Sequence, residues 1–210
     1  MIKRYKKTLI ITTIISLLPI LEGAVLWNKL PEKIATHFGS NGIPDGYSSK
    51  AFAVFGLPLV ILAIHWLAVL ATNFDPKKTN ISDKAISIVL WVCPLLSVLL
   101  CSLTYAYALN NEIRIGFAVI LFMGVLFIVL GNYMPKCKQN FTFGIKIPWT
   151  LNDSENWNKT HRFAGRIMFG CGIVICITAF SGNSIIILPP VAVMAFAPII
   201  YSYLLYKKKN

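Results

Sequence analysis

Six apolar stretches of about 20 residues, each long enough to cross a bilayer, organise this 210-residue chain. They run roughly over 8–27, 51–71, 85–108, 113–131, 163–181 and 185–206. In lipid, backbone polar groups are satisfied only inside helices or closed barrels, and runs of this length fit helices. Hydrophobic residues make up 56% of the chain and charged residues 13%, against about 25% charged in a soluble domain. The expected fold is all-α: a polytopic membrane protein of six transmembrane helices, forming a single membrane domain over 1–210. Its links fall at 28–50, 72–84, 109–112, 132–162 and 182–184.

The net charge of +12 takes its meaning from placement. All but four of the 20 Lys and Arg flank one side: the N-tail, the 72–84 link, the 132–162 link with Arg166, and the C-tail. The four exceptions are Lys29, Lys33, Lys50 and Arg114. Basic residues near spans are retained in the cytoplasm during insertion, so both termini are expected to be cytoplasmic. Every basic cluster borders a span, which points to the lipid bilayer and away from direct nucleic-acid binding.

The first 27 residues have a basic start and an apolar run, but Glu22-Gly23-Ala24 is no small-x-small cleavage site. An uncleaved first helix is expected. Four of the five cysteines (Cys93, Cys101, Cys171, Cys176) fall in spans, where Cys acts as a small apolar residue. Cys137 is expected to face the reducing cytoplasm. No C-x-x-C pair, metal spacing, nucleotide loop or hydrolase signature is present. Neither a metal nor a cofactor is implied.

The outer link, 28–50, is rich in turn formers, with Gly39-Ser40-Asn41-Gly42 and Pro44-Asp45-Gly46. Its conformation is expected to come from those turns and not from a core. Tight hairpins are expected around Asn110-Asn111-Glu112 and Ser181-Gly182-Asn183-Ser184. The prolines of the last span, Pro189, Pro190 and Pro198, suggest a bent or broken helix.

Among ionisable residues, Glu22 lies inside a span, where such a group marks a functional site by default. It stands about 7 Å below the outer end of its helix, while His65 lies about 20 Å down the second span. Arg114, on the same outer side, or the outer link is the nearer partner. His37 and Asp45 either hold a cation or form a hydrogen-bonded turn. These four residues, Glu22, His37, Asp45 and Arg114, are the candidates for an outer ligand.

The 132–162 link is a polar island. Asn152 to Glu155 reads as a helix start with Asn152 as cap and Glu155 completing a capping box. Glu155 and Lys159 then pair at i, i+4, and Trp157 and His161 share a face. Gly144 to Thr150 reads as extended, because Pro148 disfavours helix at Ile147. Trp149 and Trp157 are expected at the headgroup level. Lys146, Trp149, Thr150, Trp157, Lys159, His161 and Arg162 are the candidate docking residues for an inner partner; an amphipathic anchor on anionic lipid is the alternative.

The two long links resemble known signatures. The outer one carries Leu30, Pro31, Ile34, His37, Phe38, Gly42, Pro44, Asp45, Gly46 and Lys50. The inner one carries Gly131, Asn132, Met134, Pro135, Lys136, then Gly144, Ile145, Pro148, Trp149, Thr150, Leu151, then Trp157, Lys159, Thr160, His161 and Arg162. The inner set resembles the core of the SdpI family, and the two together span about residues 10–205. The resemblance implies a multi-pass protein of the bacterial plasma membrane. It implies immunity to a secreted peptide toxin bound at the outer face, and recruitment of a cytoplasmic transcriptional repressor at the inner face. It carries over no catalytic residues. A small transporter or channel built on Glu22, His65 and the last span is the alternative. A membrane enzyme with an inner site of Trp149, Thr150, His161 and Arg162 is the third reading.

Overall fold

The computed structural model describes residues 1–110 and 112–209. The chain runs as α1 (Lys6–Val25), a hairpin of β1 (Lys33–Phe38) and β2 (Pro44–Ser49), and a π-helical turn (Phe52–Gly56) leading into α2 (Leu57–Phe74). Then come α3 (Asp83–Leu109), α4 (Ile115–Tyr133), a short α5 (Pro148–Asn152), α6 (Ser154–Thr178) and α7 (Leu188–Lys209). Among the described residues, six helices are long and apolar enough to cross a membrane. Their surfaces agree: Leu21, Val25, Leu67, Phe74, Ile177 and Phe196 are each more than 60% exposed, an apolar surface that water does not tolerate and lipid requires. The hairpin expected at 110–112 has its middle residue, Asn111, outside the described residues.

Residues gather into two compact units, Met1–Phe74 with Ile86–Ile115, and Asp75–Ala85 with Gly116–Asn210. In the first, α1 buries Leu9, Thr12, Ser16, Pro19 and Gly23, an alternating three-four spacing that lays one stripe along the helix. On α3, Leu90, Ser97, Cys101 and Tyr105 are buried in the same way. Small residues let the helices close: a Cβ on Gly23 would lie 2.7 Å from Val54. Such stripes are how helices associate in lipid, where burial of apolar surface gives no advantage.

The outer link departs from the expectation of turns without a core. It is a β-hairpin pairing Lys33 with Ser49, Ile34 with Ser48 and Ala35 with Tyr47. Leu30 and Ile34 sit in a core with Ala53, Val54, Cys101 and Tyr105. The turn formers do close it: Gly42 has φ +77°, and the Gly39 amide donates to the Ile43 carbonyl at 2.8 Å. Lys50 ends the hairpin, its ammonium 2.9 Å from Glu32 and donating to the Trp27 carbonyl at 3.3 Å.

In the second unit, α4 and α6 meet through two glycine pairs. A Cβ on Gly131 would lie 2.8 Å from the Gly165 carbonyl, and one on Gly172 would lie 2.8 Å from the Gly124 carbonyl. The last span is not broken at its double proline. Pro189 and Pro190 fall in the first turn of α7, where missing amides cost nothing because they have no helical acceptor; only Pro198 is interior.

Candidate functional site

The polar island lies in the second unit and is folded by its own side chains. Pro148 holds Ile147 extended at φ −122°, ψ 158°, as expected; Pro148 to Asn152 is nevertheless helical, a single turn started by that proline. The cap of α6 is Asp153 and not Asn152. Its carboxylate accepts the Glu155 amide at 2.8 Å and the Asn156 amide at 3.3 Å, while Asn152 is used up as the end of α5. Glu155 and Lys159 form the i, i+4 ion pair at 2.7 Å. Lys209 closes on Asp153 at 2.8 Å; its ammonium and the two capping amides hold the Asp153 carboxyl below its usual range.

The centre is His161. Its ring lies on Trp157, centroids 3.9 Å apart and planes 20° apart. Nε2 accepts the Ile145 amide at 3.0 Å, so Nδ1 carries the proton and donates it to the Trp157 carbonyl at 2.8 Å. Both nitrogens are thereby committed, and the ring has no free lone pair to act as a base. Gly144 is required here: its φ is +116° and a Cβ would stand 2.4 Å from Nε2. The Trp157 indole donates to the Cys137 carbonyl at 2.7 Å. Thr150 accepts the Ile147 amide at 3.1 Å and donates to the Ile145 carbonyl at 2.8 Å.

A second set of bonds fastens this loop to the segment 75–80. The buried Asp75 carboxylate accepts the Phe141 amide at 2.9 Å and the Thr142 hydroxyl at 2.6 Å. Lys77 donates to the Gln139 side chain at 2.8 Å and Asn80 to the Gln139 carbonyl at 2.7 Å. Gln139 in turn reaches the Thr150 and Leu151 carbonyls at 2.9 and 2.7 Å. Burial alone would raise the Asp75 carboxyl, but the Thr142 hydroxyl and neighbouring amides outweigh it and hold it below the usual aspartate range. Burial pushes the Cys137 thiol up to about 11, only partly offset by Asn140.

The structure sorts the candidate inner residues into two groups. Lys146, Lys159 and Arg162 are exposed. Thr150, Trp157 and His161 are 0–1% exposed, so they brace the surface instead of forming it, and the Trp157 ring is enclosed by protein. Trp149 is half-buried and stacks on Tyr206 with centroids 5.9 Å apart. Cys137, expected to face solvent, is buried.

The outer candidates do not converge. His37 and Asp45 form an exposed pair at 2.5 Å. Glu22 accepts from the Ser102 hydroxyl at 2.5 Å, a partner on α3 that was not anticipated, and Arg114 is exposed. Among the described residues no group of three or more His, Cys, Asp or Glu is arranged to hold a metal. Asp75, Gln139 and the glycine pairs were missed in the sequence. The seven-residue spacing of Gly124 and Gly131, matched by Gly165 and Gly172, is the signal that marks the last of these.

Six spans and a polar island locked by one histidine, one tryptophan and one threonine define a multi-pass membrane protein. A family model described as SdpI/YfhL protein family matches residues 136–202, and one for a domain of unknown function, DUF1648, matches residues 14–62. The chain is 32% identical over 208 residues to "Immunity protein SdpI" of Bacillus subtilis (strain 168), covering 96% of this chain and 97% of that protein. The chain belongs to the SdpI/YfhL family. No solved structure matches it.

Proposed function

We propose that this chain is an integral membrane immunity protein that protects its cell against a secreted peptide toxin. The observation that carries this reading is the end-to-end match to an immunity protein, which takes in the hairpin as well as the island. Both termini and the island face the cytoplasm, and the hairpin with His37 and Asp45, together with Glu22 and Arg114, faces the toxin. On the inner side, Lys146, Lys159 and Arg162 offer exposed cations to an acidic cytoplasmic repressor. The test is expression in a toxin-sensitive strain. Survival no better than empty vector overturns immunity to that toxin. Reversing charge at Lys159 and Arg162 is expected to abolish repressor recruitment and to leave protection intact; recruitment that persists removes the island as the docking face.

A further inference from the structure

Most cations around the island are already engaged by the protein itself. Lys159 pairs with Glu155 at 2.7 Å and Lys209 with Asp153 at 2.8 Å. Lys77 donates to the Gln139 side chain at 2.8 Å, and Lys146 to the Thr142 carbonyl at 3.0 Å. Arg162, Arg166 and Lys136 differ. Each is exposed, and none has a hydrogen-bond or ion-pair partner among the described residues. The acid of α6 itself, Glu155, stands about 10 Å before Arg162 along the helix axis and is taken by Lys159.

Their placement is specific. Arg162 and Arg166 are one turn apart on one face of α6, about 6 Å along its axis. The same face continues as Phe169 and Ile173, 44% and 42% exposed. The spacing 162, 166, 169, 173 lays these four residues in a single stripe, cationic at its head and apolar below. The apolar run begins at Phe163, so Arg166 lies about 5 Å inside it. Lys136 is held within a turn of Arg162. The Pro135 ring before it would lie 2.7 Å from a Cβ on Gly165, and the Cys137 carbonyl after it is fixed by the Trp157 indole at 2.7 Å.

Like charges one turn apart on a helix repel, and a guanidinium at the edge of hydrocarbon needs a counter-charge. The protein supplies none, and a soluble partner docking on the surface does not reach below the headgroups to Arg166. A lipid phosphate stands at that depth, above the hydrocarbon that Phe169 and Ile173 face. A guanidinium holds phosphate through two parallel N–H bonds. We propose that Arg162, Arg166 and Lys136 bind the headgroup phosphate of an anionic phospholipid, whose chains lie along Phe169 and Ile173. A zwitterionic lipid brings its own ammonium, which the third cation repels, so the site selects the anionic headgroup. This binding is independent of the toxin reading. Arg162 is shared with the surface offered to a repressor; Arg166 is not.

The test is native mass spectrometry of the full chain in neutral detergent, with phosphatidylglycerol or phosphatidylcholine added. Wild type is expected to retain phosphatidylglycerol several-fold better than phosphatidylcholine. Arg166→Gln is expected to lower that retention several-fold, and Arg162→Gln with Arg166→Gln to bring it to the phosphatidylcholine level. Lys6→Gln, an equal loss of charge on exposed α1, is expected to behave as wild type. Excess glycerol 1-phosphate is expected to leave the lipid bound. Equal retention of the two lipids by wild type overturns the proposal. So does a loss in Lys6→Gln that matches Arg166→Gln, which would reduce the effect to net charge, and so does displacement by glycerol 1-phosphate, which would make this a site for soluble phosphate. Should Arg166→Gln fail to fold, Arg162→Gln carries the same expectation.

Discussion

His161 lies flat on Trp157, four residues earlier on α6, and from there accepts the amide of Ile145 at 3.0 Å. A helix that leads into the membrane thus holds the loop before it in shape. His161→Ala removes the stacked ring and leaves the Ile145 amide and Trp157 carbonyl unpaired. The expected loss is about 2–4 kcal/mol, read by thermal unfolding in detergent. Because Trp157 fixes the Cys137 carbonyl, the same variant is expected to expose the Cys137 thiol to modification; an unchanged labelling rate would show that the ring is not what closes the loop.

Asp75 gives the island a dependence on acid. The Thr142 hydroxyl and the neighbouring amides hold its folded carboxyl below the ordinary aspartate range, and so below the unfolded value of about 3.9. The stabilisation is therefore fully present above about pH 5 and disappears as pH falls through the folded value. Asp75→Asn is expected to unfold at lower temperature at neutral pH, by about 2–3 kcal/mol, and to lose part of the wild-type decline below about pH 4. Parallel thermal melts from pH 3 to 7 test both expectations.

The glycine pairs set the α4–α6 distance. Gly131→Leu or Gly165→Leu forces backbone against side chain at contacts that would be 2.5–2.8 Å even for a methyl group. The expected cost is about 1–3 kcal/mol or more. Gly170→Leu on the same helix, where a Cβ meets nothing within 4 Å, is expected to be neutral. Equal melting temperatures for Gly165→Leu and Gly170→Leu would refute the close approach.

Sidedness is measured with an added thiol. Asn158 is exposed on α6, so Asn158→Cys in a Cys137→Ser background is expected to react with an impermeant reagent only after the cells are opened. Labelling of intact cells inverts the topology. Native Cys137 is unsuited to this measurement, since its buried, high-titrating thiol is slow on either side.

Span number and order were legible because a 20-residue apolar run has one outcome in lipid. The ends were less so. Helix α6 begins at Ser154, nine residues before the apolar run, because the Asp153 cap and the Glu155–Lys159 pair extend it through polar sequence. The hairpin core was hidden because Leu30 and Ile34 read as ordinary link residues until Tyr105, distant in sequence, covers them. Within the island, the shared face of Trp157 and His161 follows from helical spacing, whereas Gly144, Asp75 and Gln139 act through contacts no local pattern encodes. The polarity of Trp157 suggested the headgroup layer; its indole proton found the Cys137 carbonyl instead.

The π-helical turn at Phe52–Gly56 acts as a phase setter for everything after it. An α-helix advances about 100° per residue, and a π turn absorbs one surplus residue without passing that rotation on. Removing a single residue there would let the segment relax to ordinary helix and keep His65, Val69 and Thr72 facing inward, whereas removing one within α2 would swing all three by about 100° toward lipid. The length of the second span is therefore elastic at its head and rigid beyond it, so deletions that the protein survives should cluster in those five residues.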